Sequence, residues 1–520
     1  MKYVGQSNYI DILGSKELYK IIGNTVIFVL IMLLFNFVLP YLYSFILGHL
    51  LQRGKMFYRS VLFLPATLSL AVASILFLWI YNPLAGPLSI VLAWFDMESP
   101  RWFKENLLVI FSICTIIGWK VFGYNLIVML AAMVAVPREM IEAAKLENAS
   151  NWTIFRRIII PMTSSTAIYV FTITVVFGLQ YVLVPVNMLT QGGPDQGSSN
   201  LVYIVYQYGF IFFQTGKSAA FAIITMFCYM AFLYLKINIW RKKFIMKTKT
   251  HQDLCWHLPL LVAVFIQLWP IVFMVSTSLK DMDQIFQATL NPLPLPPTLN
   301  NYLTVLGNFP LFTYIYNTFF IAAFVTVFKV LTSVLAAFAF IYYDFKYKET
   351  VFNSMLLTFF IPITVLIMPN YLLMSRLDLL NTPWGVMLPQ FVDGMGVFLM
   401  RQTMRGIPKP LLEAAVLDNA GPLQVLHKVV LPLIKPSIIA VGILFFINSW
   451  NEYFWPLLVL QDKETYTLPL ALQMFISAEG GSEWGIAMAV ATLTSLPPLA
   501  LYLVCQKFIL NTFMQSGVKG

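Results

Sequence analysis

The chain has 520 residues, 59% of them hydrophobic and only 11% charged, with a formal net charge of +10. Soluble globular chains are about a quarter charged, so a multidomain soluble protein is excluded, and 26 glycines and 29 prolines are too few for a disordered or collagen-like chain. The composition is that of an integral membrane protein, whose basic charge is explained by its position along the chain and needs no nucleic acid as partner.

A bilayer core takes about 20 apolar residues per helix. In chain order such runs lie at 27–47, 60–81, 107–132, 166–188 and 219–238, then at 254–278, 317–340, 351–375, 386–400, 436–458 and 486–508. The run 386–400 is the weakest, because it holds Asp393, Gly394 and Gly396. If alternate loops are assigned to one side, starting after the first run, 22 of the 33 Lys and Arg fall on that side and eight on the other. Cationic loops stay in the cytoplasm. The sequence therefore predicts an all-α protein with about 11 transmembrane helices, a cytoplasmic C-terminus and an N-terminus outside.

The four cysteines, Cys114, Cys228, Cys255 and Cys505, lie in or beside apolar runs with no CxxC pair, so no disulfide framework is expected. His251, Cys255 and His257 cluster, but they read as a linker entering a span rather than as metal ligands. Residues 1–20 lack the apolar core and small-residue cleavage site of a signal peptide.

The chain repeats itself. Residues 137–185 align without a gap on 408–456, a shift of 271, with eleven identities over 49 positions. A second ungapped match has a shift of 293 and pairs Asn8-Tyr9 with Asn301-Tyr302 and Asn24-Thr25 with Asn317-Thr318. Both halves put the matched loop on the cytoplasmic side, which makes the repeat parallel. The expected organisation is a first bundle of five helices in 1–238, a cytoplasmic linker at 239–253 and a second bundle of six in 254–520. The first half looks like the second with its first helix absent.

The matched loops, PREMIEAAKLENASNWTIFRRIIIPM (137–162) and PKPLLEAAVLDNAGPLQVLHKVVLPL (408–433), each read as a short helix, a turn and an amphipathic run into a span. Pro408 and Pro410 suit a helix start, where a missing N–H costs nothing. Ala414, Ala415 and Ala420 keep the helix surface small. Gly421 is expected in a left-handed conformation after the helix, with Pro422 blocking continuation. So short a helix is marginal alone in water, and two at homologous positions point to a pair of cytoplasmic sockets on a partner.

These loops resemble those of the membrane permeases of binding-protein-dependent ABC importers: Glu-Ala-Ala, a Gly eight residues after the Glu, and a final Leu-Pro. Glu413, Ala414, Ala415, Asp418, Gly421, Leu431 and Pro432 fit; in the first half Glu142, Ala143, Ala144, Glu147 and Pro161 fit, while Ser150 and Ile160 replace the Gly and Leu. The stretches TQGGPDQGSSNLVYIVYQYGF (190–210), NSWNEYFWPLLV (448–459) and SEWGIAMA (482–489) are similar to the carbohydrate-uptake branch, of the maltose and glycerol-3-phosphate kind. The resemblance implies two permeases of a type I importer fused in one chain in a bacterial-type inner membrane. It further implies an extracytoplasmic solute-binding protein and a separate cytoplasmic ATPase dimer that holds ATP and Mg. The chain itself is then no enzyme, with no catalytic residue, metal or cofactor.

Candidate pathway residues follow each matched loop: Gln180 and Tyr181 in the first half, and Asn448, Trp450, Asn451, Glu452 and Tyr453 in the second. Amide and aromatic groups suit a polar sugar, and polar groups deep in a membrane usually face a bundle interior or cavity. Lys120 and Lys329 read as packing or snorkelling residues. Gly216-Lys217-Ser218 mimics a phosphate loop but has Ile211 where the required glycine should be. The rival reading, an ion-coupled secondary transporter, would need acidic residues inside the spans, mainly Asp393 and Glu452. A lipid-modifying enzyme lacks a cluster of His, Asp or Cys at either membrane face.

Overall fold

A computed structural model describes residues 6–51, 53–239, 254–287, 291–358, 363–475 and 483–516, and all regular structure among them is helical. In chain order the helices used below are α1 (Ser7–Leu13), α2 (Lys16–Leu50), α3 (Lys55–Phe63), α4 (Leu70–Ile80), α5 (Leu108–Val134), α6 (Arg138–Leu146), α7 (Thr166–Thr190) and α8 (Thr215–Ile239). The second half supplies α9 (Leu254–Ser278), α10 (Asn300–Asn308), α11 (Leu311–Tyr342), α12 (Lys348–Leu357), α13 (Gly394–Met404), α14 (Lys409–Leu417), α15 (Pro422–Trp450) and α16 (Trp484–Ser516). Among the described residues, α2, α5, α7, α9, α11, α15 and α16 are long and apolar enough to cross a bilayer. Residues 240–253, which hold nearly all of the expected linker, lie outside the described residues, as do 359–362 within the expected run 351–375.

Two expected spans are not straight helices. The run 60–81 breaks between Lys55–Thr67 and α4 with a bend of 97°. Pro65 sits in the tightened turn before the break, and the Ser69 hydroxyl accepts the Val72 N–H at 3.0 Å to start α4. The break exposes carbonyls, and the Lys120 ammonium on α5 donates to those of Ala66, at 3.0 Å, and Leu68. The run 386–400 is likewise not continuous: a helix over Pro383–Met387 gives way to a tight turn, and Asp393 then caps α13 by accepting the Gly396 N–H at 3.1 Å.

Proline shapes the continuous spans too. Pro40 cannot donate to the carbonyl of Asn36 one turn earlier, and α2 widens to a π-turn over Leu34–Val38. The freed Asn36 carbonyl accepts instead from the Asn125 amide on α5 and the Thr174 hydroxyl on α7. Neighbouring helices re-satisfy what the proline leaves open, as the absence of water in hydrocarbon requires. Matching π-turns at Phe155–Ile159 and Leu426–Val430 come just before Pro161 and Pro432.

Contacts group the chain into two compact units. One comprises Met1–Leu311, Pro362–Pro369 and Leu468–Leu499; the other comprises Phe312–Ile361, Asn370–Thr467 and Ala500–Gly520. The first unit thus runs past the linker. Its main core joins Leu47 and Leu50 of α2, Leu126 and Met129 of α5 and Val170 of α7 to Leu260, Ala263 and Val264 of α9. The Tyr58 hydroxyl meets His257 Nδ1 at 3.0 Å, and Trp119 Nε1 donates to the Gln267 carbonyl at 3.1 Å, three residues before Pro270 inside α9. In the second unit, Val334 and Phe338 of α11, Met400 and Met404 of α13, and Val430 and Ile434 of α15 form the core. Lipid is as apolar as these side chains, so close packing and hydrogen bonds rather than water exclusion hold the spans together.

Candidate functional site

Both matched loops form the short helix expected of them. α6 starts after Pro137 and α14 after Pro408, and each has nine residues. Each lies with one face on its own bundle: Ile141 is buried and Ala144 packs on the first core, while Leu412 and Ala415 pack on the second. The other face is open. Glu142, Ala143, Glu147, Glu413, Ala414 and Asp418 line it, and Glu142, Glu147, Glu413 and Asp418 bear its exposed carboxylates. Two apolar pairs related by the repeat are exposed as well, Met140 with Leu411 and Leu146 with Leu417, the second pair at 86% and 83%. Apolar side chains this open, matched in two loops, are the character of surfaces on which proteins bind one another. Leu146 and Leu417 are visible in the sequence as a repeated pair but carry no functional signal of their own there.

One expectation about these loops needs correction. Gly421 is not left-handed: its φ is −65° and it stands at the start of the next short helix. The left-handed residues are Asn419, at φ 53°, and its repeat partner Asn148, at φ 57°. Asparagine tolerates that region better than most residues. Ser150, at φ −68°, occupies the Gly421 position and caps the following turn by accepting the Thr153 N–H at 3.2 Å. A Cβ at Gly421 would meet nothing within 4 Å. The first loop therefore keeps the backbone of the second although the glycine is replaced.

The pathway candidates divide by exposure. Tyr181 and Asn448 are exposed, Gln180, Asn451 and Glu452 are half-buried, and Trp450 and Tyr453 are buried. Glu452 serves the local backbone: its Oε1 accepts the N–H groups of Phe454 and Trp455, at 3.1 and 3.2 Å, and so starts the helix after the break at Asn451. Asp393, besides capping α13, lies 3.5 Å from the Lys329 ammonium, which also stands over the Phe445 ring at 5.4 Å. Lys329 is thus a paired charge within α11. At the shifts of 293 and 271, Lys329 and Phe445 take the places of Asn36 and Thr174, so each half carries a polar junction of the same three helices.

The phosphate-loop mimic has a packing explanation. A Cβ on Gly216 would lie 2.7 Å from the Asn8 side-chain amide, and one on Gly485 would lie 2.6 Å from the Asn301 amide. Asn8 and Asn301 are repeat partners. Both glycines are there so that an asparagine side chain can approach the first turn of α8 or α16. Among the described residues, no group of three or more His, Cys, Asp and Glu side chains is placed to hold a metal; of the residues weighed for such a site, His251 lies outside them.

Comparison with known proteins adds the following. The family described as binding-protein-dependent transport system inner membrane component matches the chain twice, at residues 42–243 and 329–511. The chain is similar to the arabinooligosaccharides transport system permease protein AraQ of Halalkalibacterium halodurans, 31% identical over 280 residues, covering 53% of this chain and 100% of that one. It is similar to the sn-glycerol-3-phosphate transport system permease protein UgpE of Pectobacterium atrosepticum, 31% identical over 271 residues, covering 51% of this chain and 96% of that one. A crystal structure of a bacterial ABC transporter involved in the import of the acidic polysaccharide alginate matches with a TM-score of 0.45 and 24% identity, over 50% of this chain and 99% of that one.

Proposed function

Because the chain belongs to the family of binding-protein-dependent transport system inner membrane components, which it matches once in each half, we propose that it supplies both permease bundles of one ATP-driven importer for a sugar or sugar-like solute. The family is a membrane pathway and not an enzyme. In this reading two ATPase subunits, which hold ATP and Mg, dock on α6 and α14. An extracytoplasmic solute-binding protein delivers the solute to the opposite face. The C-terminus and residues 239–253 are cytoplasmic and the N-terminus is outside, as the distribution of Lys and Arg favours. Closure of the ATPase pair moves the two short helices and switches the bundles between inward- and outward-open. Tyr181 and Asn448 are the accessible candidates for solute contact, with Gln180 beside them. The sugar class rests on the named relatives and on the aromatic and amide character of these residues.

The observation that carries the coupling assignment is the repeat-matched open face of the two short helices, with Leu146 and Leu417 at their ends. The ion-coupled alternative loses support from the same structure: Asp393 is neutralised by Lys329 and caps a helix, and Glu452 caps another. The test is affinity purification of the tagged chain from native membranes in mild detergent. Two ATPase copies per chain are expected, and Glu142→Lys combined with Glu413→Lys should remove them while the permease stays in the membrane. Purification without any ATPase, or full uptake by the double variant, would overturn the assignment.

A further inference from the structure

The second coupling helix is tied to its bundle by a buried charge at a position that is apolar in the first half. Arg401 lies in the last turns of α13, and its side chain is only 3% exposed. Its guanidinium packs over the Phe352 ring at 3.8 Å and the Phe340 ring at 5.7 Å, and it is paired with the Glu349 carboxylate. Glu349 sits in the first turn of α12, where the helix dipole favours an anion, and Arg405 approaches the same carboxylate at 4.0 Å. One cation therefore holds together α11, which carries Phe340, α12, which carries Phe352 and Glu349, and α13.

From Arg401 to α14 there is no slack. The Arg405 N–H donates to the Arg401 carbonyl at 2.9 Å, Gly406 to Thr403 at 3.0 Å, Ile407 to Met404 at 3.0 Å, and Leu411 to Pro408 at 3.1 Å. Ile407, Leu412 and Ala415 pack on the core that contains Met400 and Met404. α14 is thus joined to α13 and, through Arg401, to α11 and α12. The two homologous positions of the first half are apolar. The shift of 293 aligns the starts of α3 and α12 and puts Met56 at the Glu349 position, and the shift of 271 puts Leu130 at the Arg401 position.

We propose that Arg401, held by Glu349 between Phe340 and Phe352, is the positioning residue that makes the second coupling helix move as one body with its bundle when ATP-driven force reaches it. The inference rests on the proposed role of α14. A buried guanidinium that loses its carboxylate is left uncompensated, so removing Arg401 or Glu349 releases the same linkage.

The test uses the whole complex, the chain purified with its ATPase and reconstituted in liposomes with the binding protein. ATPase stoichiometry and solute transported per ATP hydrolysed are measured together. Arg401→Met, which keeps the length and apolar packing, should lower solute per ATP by about fivefold or more with ATPase stoichiometry unchanged. Glu349→Gln, at a 61% exposed side chain that folding tolerates, should give the same loss, and the double variant should be no worse than either single one. Arg401→Lys, which keeps the charge over the rings, should recover part of the ratio. An unchanged solute-per-ATP ratio in Glu349→Gln, or additive losses in the double variant, would overturn the linkage. Absence of ATPase from the wild-type complex would overturn the coupling assignment itself, and the linkage with it.

Discussion

Asn24 and Asn317, 293 residues apart, make the same bond in the two halves. Asn24 Nδ2 donates to the carbonyls of Gln196 and Ser199, at 2.8 and 3.0 Å, and Asn317 Nδ2 donates to those of Glu464 and Tyr466, at 3.0 and 3.2 Å. In each half a long helix thereby fastens the irregular segment that follows the helix after the coupling loop. An amide donor with two protons is the side chain that can hold two carbonyls of such a segment at once. Asn317→Ala should destabilise the second half by about 1–3 kcal/mol, the cost of leaving carbonyls unmet, and should speed hydrogen exchange over 460–467. Unchanged exchange there would contradict the latch.

Gly485 should not tolerate even alanine, because the new Cβ would press on the Asn301 amide. A loss of about 1–3 kcal/mol is expected from overpacking, and shortening Asn301 to Ala in the same chain should recover part of it. Thermal unfolding in detergent reads both. The counterpart at Gly216 predicts that Lys217→Ala leaves nucleotide binding by the isolated permease at background, as it should be if the stretch is a packing motif.

The coupling loops predict an inverted sensitivity. Ser150→Gly removes one capping bond and should cost only a few tenths of a kcal/mol, and Gly421→Ser should be equally mild because a Cβ there meets open space. Asn419→Val forces a β-branched residue to a positive φ and should cost at least about 1 kcal/mol. Uptake assays on the three variants should therefore single out Asn419, not the glycine.

Asp393→Asn keeps the helix cap but deprives Lys329 of its counter-charge. Because both side chains retain some exposure, at 27% and 13%, a loss of about 1–3 kcal/mol is expected rather than the full cost of a sealed charge. The neutral double variant Lys329→Met with Asp393→Asn should regain most of the stability. ATP-driven uptake by that double variant should persist, whereas an ion-coupled carrier that used Asp393 would be dead.

Acid should release one contact of the 191–200 segment. The Lys20 ammonium hydrogen-bonds the Asp195 carboxylate at 2.7 Å and holds its pKa below the ordinary value of 3.8. A depressed carboxyl pKa contributes stability in full above the ordinary value and loses it as pH falls through the lowered one. Hydrogen-exchange protection over 191–200, corrected for the intrinsic rate, should thus be level from neutral pH to about 4, the ordinary aspartate range, and fall only below it. Asp195→Asn should abolish that fall.

Much of this is legible in the sequence, because hydropathy and repeat identity are properties of single residues and their spacing. Membrane class, the parallel repeat and the two short helices after Pro137 and Pro408 can all be read that way. What cannot be read depends on partners distant in sequence. The break at Ser69 leaves little trace in the run 60–81, since the lysine that caps it is Lys120 on another helix. The run 386–400 is interrupted where Asp393 caps α13, and its cation lies on α11. The expectation for Gly421 fails because a glycine after a helix usually takes the left-handed position, and here an asparagine two residues earlier already holds it.

The position of α9 has a consequence for how such a chain is made. Synthesis delivers Tyr58, Trp119 and the rest of the first core long before Leu260, Ala263 and Val264, which complete it. Until then the first half must wait in the membrane with an unfilled face, exposed to wrong helices. Encoding both halves in one message sets that wait to a fixed number of codons and delivers the missing helix tethered, at an effective concentration no free subunit could match. A nick introduced between the halves after folding should therefore leave the two pieces holding each other.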